Sequence, residues 1–273
     1  MKRLTKIFCG WLLTLVFGFN VYAQPDSLVE LLPRIQHPVS SFSVGNIGEL
    51  YVIDLNNQLK KYDENGDSVG VFNQVAQFGK LDYVEAQNPW KVVLFYRNLS
   101  TIVLLDKYLK MVSQVNLRSK NIFGVQAVTT SYDNNLWLYD EQENKLKKVD
   151  DAGNLLFESV DFRLLFDEVP SPQRIVDQDG YVYLYDAQHG LYQFDYYGSF
   201  KQLYRFTGWK TFAVSGKNIV GIDDTQLYRL GPSMPAQLTA LPAALRYSTG
   251  MQLANEKLYV LKDHFLRIYH LRK

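Results

Sequence analysis

The stretch "LKKYDENG" (Leu59–Gly66) returns almost unchanged later in the chain as "LKKVDDAG" (Leu146–Gly153). Each octet ends a short alternating strand and runs into a turn that begins with Asp and closes with Gly. An Asp favours the first turn position because its carboxylate bonds the backbone two residues on, and Gly supplies the positive φ that closes the turn. The octet therefore predicts a tight hairpin between two strands, and the chain uses it more than once.

The turn aspartate recurs at a regular spacing. It occurs in four copies: Asp63, Asp106, Asp150 and Asp195. The steps between them are 43, 44 and 45 residues, and two weaker copies follow after 36 and 39 residues, with Gly231 and His270 in the place of the aspartate. A period of about 40 residues is typical of a repeat architecture, so the sequence predicts six repeated units.

A single unit, residues 125–159, contains four short strands and no convincing helix. The strand segments are "VQAVTTS", "LWLYDE", "KLKKVD" and "NLLFES", separated by turns rich in Asn, Asp, Glu and Gly. Alternation with a period of two residues between polar turns is typical of antiparallel hairpins. The 19 Tyr and 16 Phe residues agree, because aromatic side chains favour strands.

Six such units indicate an all-β protein, a six-bladed β-propeller of four-stranded antiparallel blades. A lone four-stranded sheet exposes an apolar face and its edges, whereas a radial arrangement buries the faces and protects the edges. A linear stack is the less favoured alternative, since its end units would need polar caps. The innermost strands are expected at "SSFSVG", "DYVEAQ", "VQAVTT", "RIVDQ", "TFAVSG" and "MQLANE".

The last unit needs a fourth strand from elsewhere in the chain if the ring is to close. The last unit has only three strands, and we expect residues 28–35 to supply its missing outer strand, because this leaves no edge unpaired. The alternative is a short amphipathic helix packed outside the ring, since the apolar residues of this segment also fit helical spacing.

The first 23 residues have the composition of a secretory signal peptide. A basic start precedes an apolar run from Ile7 to Val21, and small residues precede Gln24, which predicts cleavage after Ala23. An uncleaved anchor is the alternative, but the run of about 15 residues is shorter than the roughly 20 that span a bilayer. We therefore expect a signal peptide over residues 1–23, one propeller domain over residues 24–273, and a periplasmic or extracellular location.

Charge and cysteine content narrow the functional classes. The whole chain has 29 basic and 28 acidic residues; without the leader, which holds three basic residues, the balance is 26 to 28. Nucleic-acid binding and anionic membrane surfaces favour basic patches, so neither partner is expected, and no membrane span remains after cleavage. The single cysteine, Cys9, lies in the leader, so the mature chain is expected to have no disulfide and no cysteine ligand.

Three of the units resemble NHL repeats, in which a Gly-aromatic-Val-x-Asp strand is followed by a strand ending in Asp-x-x-Gly. The segments that carry the resemblance are "GELYVIDLNNQLKKYDENGDSVGVF", "NNLWLYDEQENKLKKVDDAGNLLF" and "DGYVYLYDAQHGLYQFDYYGSF". The resemblance implies a six-bladed propeller, and the leader indicates that it is secreted by a bacterial host. Because the pattern encodes hairpins and turns, it does not identify a chemistry.

The candidate binding residues lie in the loops at one face of the ring. Propellers usually bind where the channel opens, through the turns between the second and third strands and through the connections between blades. These loops supply the candidates Asn57, Asn98, Asn144, His189, Asp224, His264 and Trp209. The alternative for each of them is that it is an ordinary turn residue with no ligand.

The sequence favours a noncatalytic, monomeric binding module for a protein or a glycan at the cell envelope, with no catalytic residues, cofactor or metal assigned. The alternative is a metal-dependent hydrolase resembling the lactonase and esterase propellers, in which carboxylates hold a divalent metal in the channel. Acidic residues lie near the inner strands but share no local motif: Glu49, Glu85, Asp177 and Asp223.

Overall fold

Six four-stranded antiparallel sheets form the protein in a computed structural model that describes residues 29–31, 35, 37–232 and 234–270. The signal-peptide prediction falls on residues 1–23, which lie outside the described residues. Within the described part, no helix is long and apolar enough to cross a membrane. The all-β, six-bladed prediction is confirmed.

The strands of each sheet follow one another along the chain from the ring centre outwards, except that the first strand of the chain, β1 (Val29–Leu31), belongs to the last blade. Blade 1 comprises β2 (Val39–Val44), β3 (Leu50–Asp54), β4 (Leu59–Tyr62) and β5 (Ser68–Phe72). Blade 2 comprises β6 (Tyr83–Asn88), β7 (Lys91–Tyr96), β8 (Thr101–Leu105) and β9 (Met111–Asn116). Blade 3 comprises β10 (Val128–Thr130), β11 (Leu136–Asp140), β12 (Lys145–Val149) and β13 (Leu155–Glu158). Blade 4 comprises β14 (Arg174–Gln178), β15 (Tyr181–Asp186), β16 (Gly190–Asp195) and β17 (Phe200–Tyr204). Blade 5 comprises β18 (Thr211–Ser215), β19 (Asn218–Ile222), β20 (Gln226–Leu230) and β21 (Gln237–Ala240). Blade 6 comprises β22 (Gly250–Ala254), β23 (Lys257–Lys262) and β24 (Phe265–His270), together with β1. The helical segments of the described residues are one short α-helix, α1 (Val75–Phe78), and four 3-10 turns at Arg97–Leu99, Leu117–Lys120, Phe162–Leu164 and Ala243–Leu245.

The hydrophobic core is divided among the six blade interfaces. Each buried cluster joins two adjacent blades; Leu59 of blade 1 and Val103 of blade 2 share one, and Leu266 of blade 6 and Val52 of blade 1 share another. The remaining four clusters join the other neighbours in turn. Strands such as β7, "KVVLFY", are buried along their whole length because both of their faces meet a neighbouring blade.

The four repeated aspartates form the same turn in four blades. In blade 3 the Asp150 carboxylate accepts hydrogen bonds from the backbone N–H groups of Ala152 and Asn154, at 2.9 and 2.8 Å. Asp63, Asp106 and Asp195 accept the corresponding pair. The pairing of the third and fourth strands shifts at each of these turns, which is the signature of a β-bulge.

Two contacts close the ring. Val29 pairs with His270 and Leu31 with Ile268, so the N-terminal segment supplies the outer strand of blade 6, as the sequence predicts, and does not form the alternative helix there. At the inner strands, the Gln252 amide of blade 6 accepts from the N–H of Val44 in blade 1 at 3.0 Å and donates to its carbonyl at 3.2 Å.

Candidate functional site: the central channel

The topology gives the ring two distinct faces. The connections between blades and the turns between second and third strands lie on one face, which we call the connection face. The turns between first and second strands, and between third and fourth strands, lie on the opposite face, which we call the turn face. This division follows directly from antiparallel strands that alternate in direction.

A cavity of about 1040 Å³ occupies the centre of the ring and is lined by the innermost strand of all six blades. It is as large as typical small-molecule sites. Towards the turn face the lining includes Asn46, Asn88, Asn134 and Asn255. Among the described residues of the inter-blade connections, only Lys210 contributes to it. The cavity is therefore rimmed by turns of the face opposite the one that the sequence analysis favoured.

Glu85 supplies a buried carboxylate to this channel. It lies in the middle of β6 and is 4% exposed. One carboxylate oxygen accepts a hydrogen bond from the Tyr83 hydroxyl at 3.3 Å, and the other accepts from the Gln87 backbone N–H at 2.9 Å. Burial raises the pKa of Glu85. The hydrogen bonds from Gln87, Tyr83 and Thr129 and the charge of Arg174 lower this pKa, but the effect of burial is larger. Burial and the neighbouring Glu85 likewise raise the pKa of Tyr83.

Arg174 of blade 4 supplies the opposite charge. Its guanidinium donates to the Thr211 hydroxyl at 3.0 Å and lies over the Phe212 ring, 5.0 Å from the ring centroid. It attracts Glu85 electrostatically, but among the described residues it forms no direct ion pair. The inner strands β6, β14 and β18 begin at Tyr83, Arg174 and Thr211, and each inner strand begins at the connection face. The cluster of Tyr83, Glu85 and Arg174 therefore lies in the half of the channel nearer that face.

Asp177, the second carboxylate on the channel wall, is engaged in structural contacts. It accepts from the Trp137 indole N–H at 2.8 Å, the Tyr132 backbone N–H at 3.0 Å and the Tyr196 hydroxyl at 2.6 Å. These bonds fasten the turns of blades 3 and 4 to each other. They leave little of this carboxylate free for a ligand.

The other two acidic residues considered for a metal-dependent hydrolase lie elsewhere. Glu49 forms an ion pair with Lys61 at 3.2 Å, and Asp223 accepts from the Tyr228 hydroxyl at 2.6 Å inside a turn of blade 5. Across the described ranges, no group of three His, Cys, Asp or Glu side chains is arranged to hold a metal ion.

None of the seven candidate residues chosen from the sequence lines the cavity. They are distributed around the connection face, and several tie a turn to an inter-blade connection. The Asn57 side chain donates to the Gly79 carbonyl at 2.8 Å, and the His189 ring lies 2.7 Å from an Asp186 oxygen. Trp209 is 4% exposed and lies in the core between blades 4 and 5.

The remaining four candidates also make contacts within the ring. The carbonyls of Asn98, Asn144 and His264 accept hydrogen bonds from Arg118, Phe162 and Val39, at 3.2, 2.8 and 2.8 Å respectively. Asp224 pairs with Lys210 at 3.3 Å. The structure thus places these residues one blade apart and does not bring them together in a shared pocket.

Sequence reasoning missed a group of exposed aromatic side chains on the turn face, which we call the aromatic turn group. Its members are Trp90, Tyr108, Tyr132 and Tyr197. Trp90 is 69% exposed and Tyr197 is 85% exposed. Lys107 lies 4.4 Å from the Trp90 ring centroid and 4.9 Å from that of Tyr108. The available signal was the presence of large aromatic residues inside polar turns, as in "NPW" and "DYYG".

No protein-family model and no curated protein sequence matches the chain. Solved propeller structures do resemble it. Virginiamycin B lyase from Staphylococcus aureus is 12% identical with a TM-score of 0.59, over 90% of this chain and 89% of that one. BamB from Moraxella catarrhalis is 12% identical with a TM-score of 0.51, over 85% and 82%. PorZ from Porphyromonas gingivalis is 12% identical with a TM-score of 0.55, over 86% of this chain and 32% of that one. At such identities the likeness shows a shared β-propeller fold alone, and the NHL resemblance stays a prediction.

Proposed function

We propose that this protein is a noncatalytic binding module of the bacterial cell envelope, and that it docks a protein partner through its turn face. The aromatic turn group is the observation that carries the proposal. Trp and Tyr are the residue types that most often anchor protein interfaces, because they bury a large area at a small cost in side-chain entropy. Leaving four of them exposed on one face of a rigid ring is typical of a docking surface.

The aromatic turn group is spread over blades 2, 3 and 4. Lys107 joins the two aromatic residues of blade 2. The Asn88 side-chain amide donates to the Asn134 side chain at 2.6 Å, which fastens the inner turn of blade 2 to that of blade 3. Tyr132 of blade 3 stacks on Tyr196 of blade 4, with the ring centroids 4.2 Å apart. Trp90, Tyr108 and Tyr132 are therefore held by contacts within the ring, and these side chains lose little freedom when a partner binds.

The envelope location is supported by the sequence of residues 1–23 and by one structural relative. PorZ is described as an essential bacterial surface component of the type-IX secretion system, and 32% of its chain aligns with this one. We expect the mature protein to begin at Gln24. N-terminal sequencing of protein recovered from outside the cytoplasm tests this directly.

Site-specific crosslinking tests the docking surface. A photoreactive amino acid is placed at Trp90 or Tyr197 on the turn face, or at Leu164 on the connection face, which is 80% exposed and serves as the control. We expect the turn-face positions to capture one discrete envelope protein that the Leu164 position does not capture. Equal capture from both faces would contradict a turn-face interface.

The same surface gives a quantitative prediction. Because buried interface aromatics contribute about 2 kcal/mol or more, Trp90→Ala should weaken binding of the captured partner about 30-fold. Leu164→Ala should leave the affinity unchanged. Isothermal titration calorimetry measures both affinities, and thermal unfolding checks that each variant retains its fold.

A further inference from the structure

We propose that the central channel binds a neutral saccharide unit, one or two sugar rings long, at the cluster formed by Tyr83, Glu85 and Arg174. This inference goes beyond the proposed function, because it concerns the enclosed channel and not the exposed turn face. It assigns a second, small-molecule ligand to the same ring.

The charge of the channel favours an uncharged ligand. Among the described residues, the charged side chains that line it are three basic and three acidic: Arg174, Lys210 and Lys257, and Glu85, Asp177 and Glu256. A phosphate or carboxylate ligand at Arg174 would also face the Glu85 carboxylate. The lining therefore offers no net positive potential for an anion.

The hydrogen-bonding groups suit vicinal hydroxyls. A guanidinium has five N–H donors in a planar fork, and among the described residues only Thr211 accepts a side-chain hydrogen bond from Arg174, which also lies over the Phe212 ring. The Glu85 carboxylate accepts from Tyr83, Gln87 and Thr129, and a carboxylate has about four acceptor sites, so one remains for a ligand hydroxyl. Each sugar hydroxyl both donates and accepts, so neighbouring hydroxyls can bridge an acceptor on blade 2 and a donor on blade 4.

The remaining walls match the two surfaces of a sugar ring. Phe42 and Tyr83 provide aromatic surface for the C–H face of the ring. Gln87, Gln178 and Ser215 lie towards the turn-face end of the same strands and provide neutral amide and hydroxyl groups for a second ring. A zwitterionic amino acid would use the charged pair but leave these groups unused, which is why we favour the saccharide.

Binding is tested on the purified mature protein, residues 24–273, with named sugars. Cellobiose, maltose, lactose and N,N′-diacetylchitobiose are examined by saturation-transfer NMR and calorimetry, with glycine as the zwitterionic probe and inorganic phosphate as the anionic probe. We expect at least one disaccharide to bind, and neither glycine nor phosphate to compete with it. Arg174→Lys keeps the charge but loses the planar fork, and should weaken that binding at least tenfold.

Two further variants complete the test. Arg97→Lys is the matched control outside the channel and should bind the disaccharide as the wild type does. Ser43→Trp places a ring into the cavity without changing the charged cluster, and should abolish binding; it decides the question if Arg174→Lys does not fold. The inference is overturned if no sugar binds, if glycine or phosphate binds in its place, or if Ser43→Trp binds normally. Crosslinking from Trp90 should be the same in Ser43→Trp, so this inference and the proposed function can fail separately.

Discussion

At the scale of single residues, Trp209 shows how one small neighbour determines where a large side chain lies. Its ring stacks on Phe206, with centroids 5.4 Å apart, and on Tyr185, with centroids 5.8 Å apart. Gly221 of β19 lies directly against it: a Cβ added there would be 2.2 Å from the Trp209 ring. The tryptophan therefore fills the space that the missing side chain leaves, and it joins blades 4 and 5.

This contact predicts a clash. Gly221→Ala should lower the free energy of unfolding by about 1–3 kcal/mol, because the added methyl group overpacks the ring. Gly231→Ala is the control, since a Cβ at that position would meet only the Asn218 side chain at 3.6 Å. Urea unfolding of both variants measures the difference, and equal midpoints would show that Trp209 moves without cost.

Glu85 predicts a pH dependence of stability. Burial raises the pKa of this carboxyl above its usual 4.5, against the charge of Arg174 and the hydrogen bond from Tyr83. For a raised pKa, the stabilising contribution is complete below the unfolded-state pKa and is lost as the pH rises through the folded-state pKa. The stability of Glu85→Gln relative to wild type should therefore increase from about pH 4 to about pH 7.5. Urea unfolding at both pH values measures this change, and a constant difference would contradict it.

At the scale of elements, the turn determines how much of the fold the sequence predicts. The repeat period is visible in the spacing of the turn aspartates, because in each copy one carboxylate accepts from two backbone N–H groups and the turn needs this residue. These aspartates are Asp63, Asp106, Asp150 and Asp195. Leu109 shows the limit of the pattern: it takes the positive φ, 63°, that glycine supplies in the other three copies. The bulges that shift the strand register at these turns were not predicted, because they depend on pairing with the fourth strand.

The turn gives a prediction of its own. Asp150→Ala removes the acceptor of two backbone hydrogen bonds, and should lower the free energy of unfolding by about 1–2 kcal/mol. Asp150→Asn keeps a side-chain oxygen and should cost less than half as much. Thermal unfolding compares the two variants, and equal losses would mean that charge, and not the hydrogen bonds, stabilises the turn.

The cluster of Tyr83, Glu85 and Arg174 in the channel could not be predicted from the pattern of strands and turns. Tyr83 and Glu85 lie on blade 2 and Arg174 lies on blade 4, so they share no local motif and approach one another only across the closed ring. The candidate residues taken from the connection face followed from general propeller geometry. The exposed aromatic residues were visible in the sequence, but a turn tyrosine is informative only once its exposure is known.

At the scale of the whole molecule, stability is a property of the ring. Each hydrophobic cluster belongs to two blades, so a single blade would expose both of its faces. β1 supplies the last outer strand and Gln252 joins the inner strands of blades 6 and 1. The first and last described strands, β1 and β24, therefore pair in the same blade, and loss of this closure should affect every interface at once.

The closure is tested at Gln252. Gln252→Ala leaves both the N–H and the carbonyl of Val44 without the side chain that bonds them, which should lower the free energy of unfolding by about 1–3 kcal/mol. Gln178→Ala is the matched control, because that exposed side chain bonds only the neighbouring Asp179, at 3.1 Å. Since every blade shares its core with both neighbours, calorimetry should show one lowered transition for Gln252→Ala and not two. A separate early transition would mean that blades 6 and 1 unfold independently, and the ring would then be a set of weakly coupled blades.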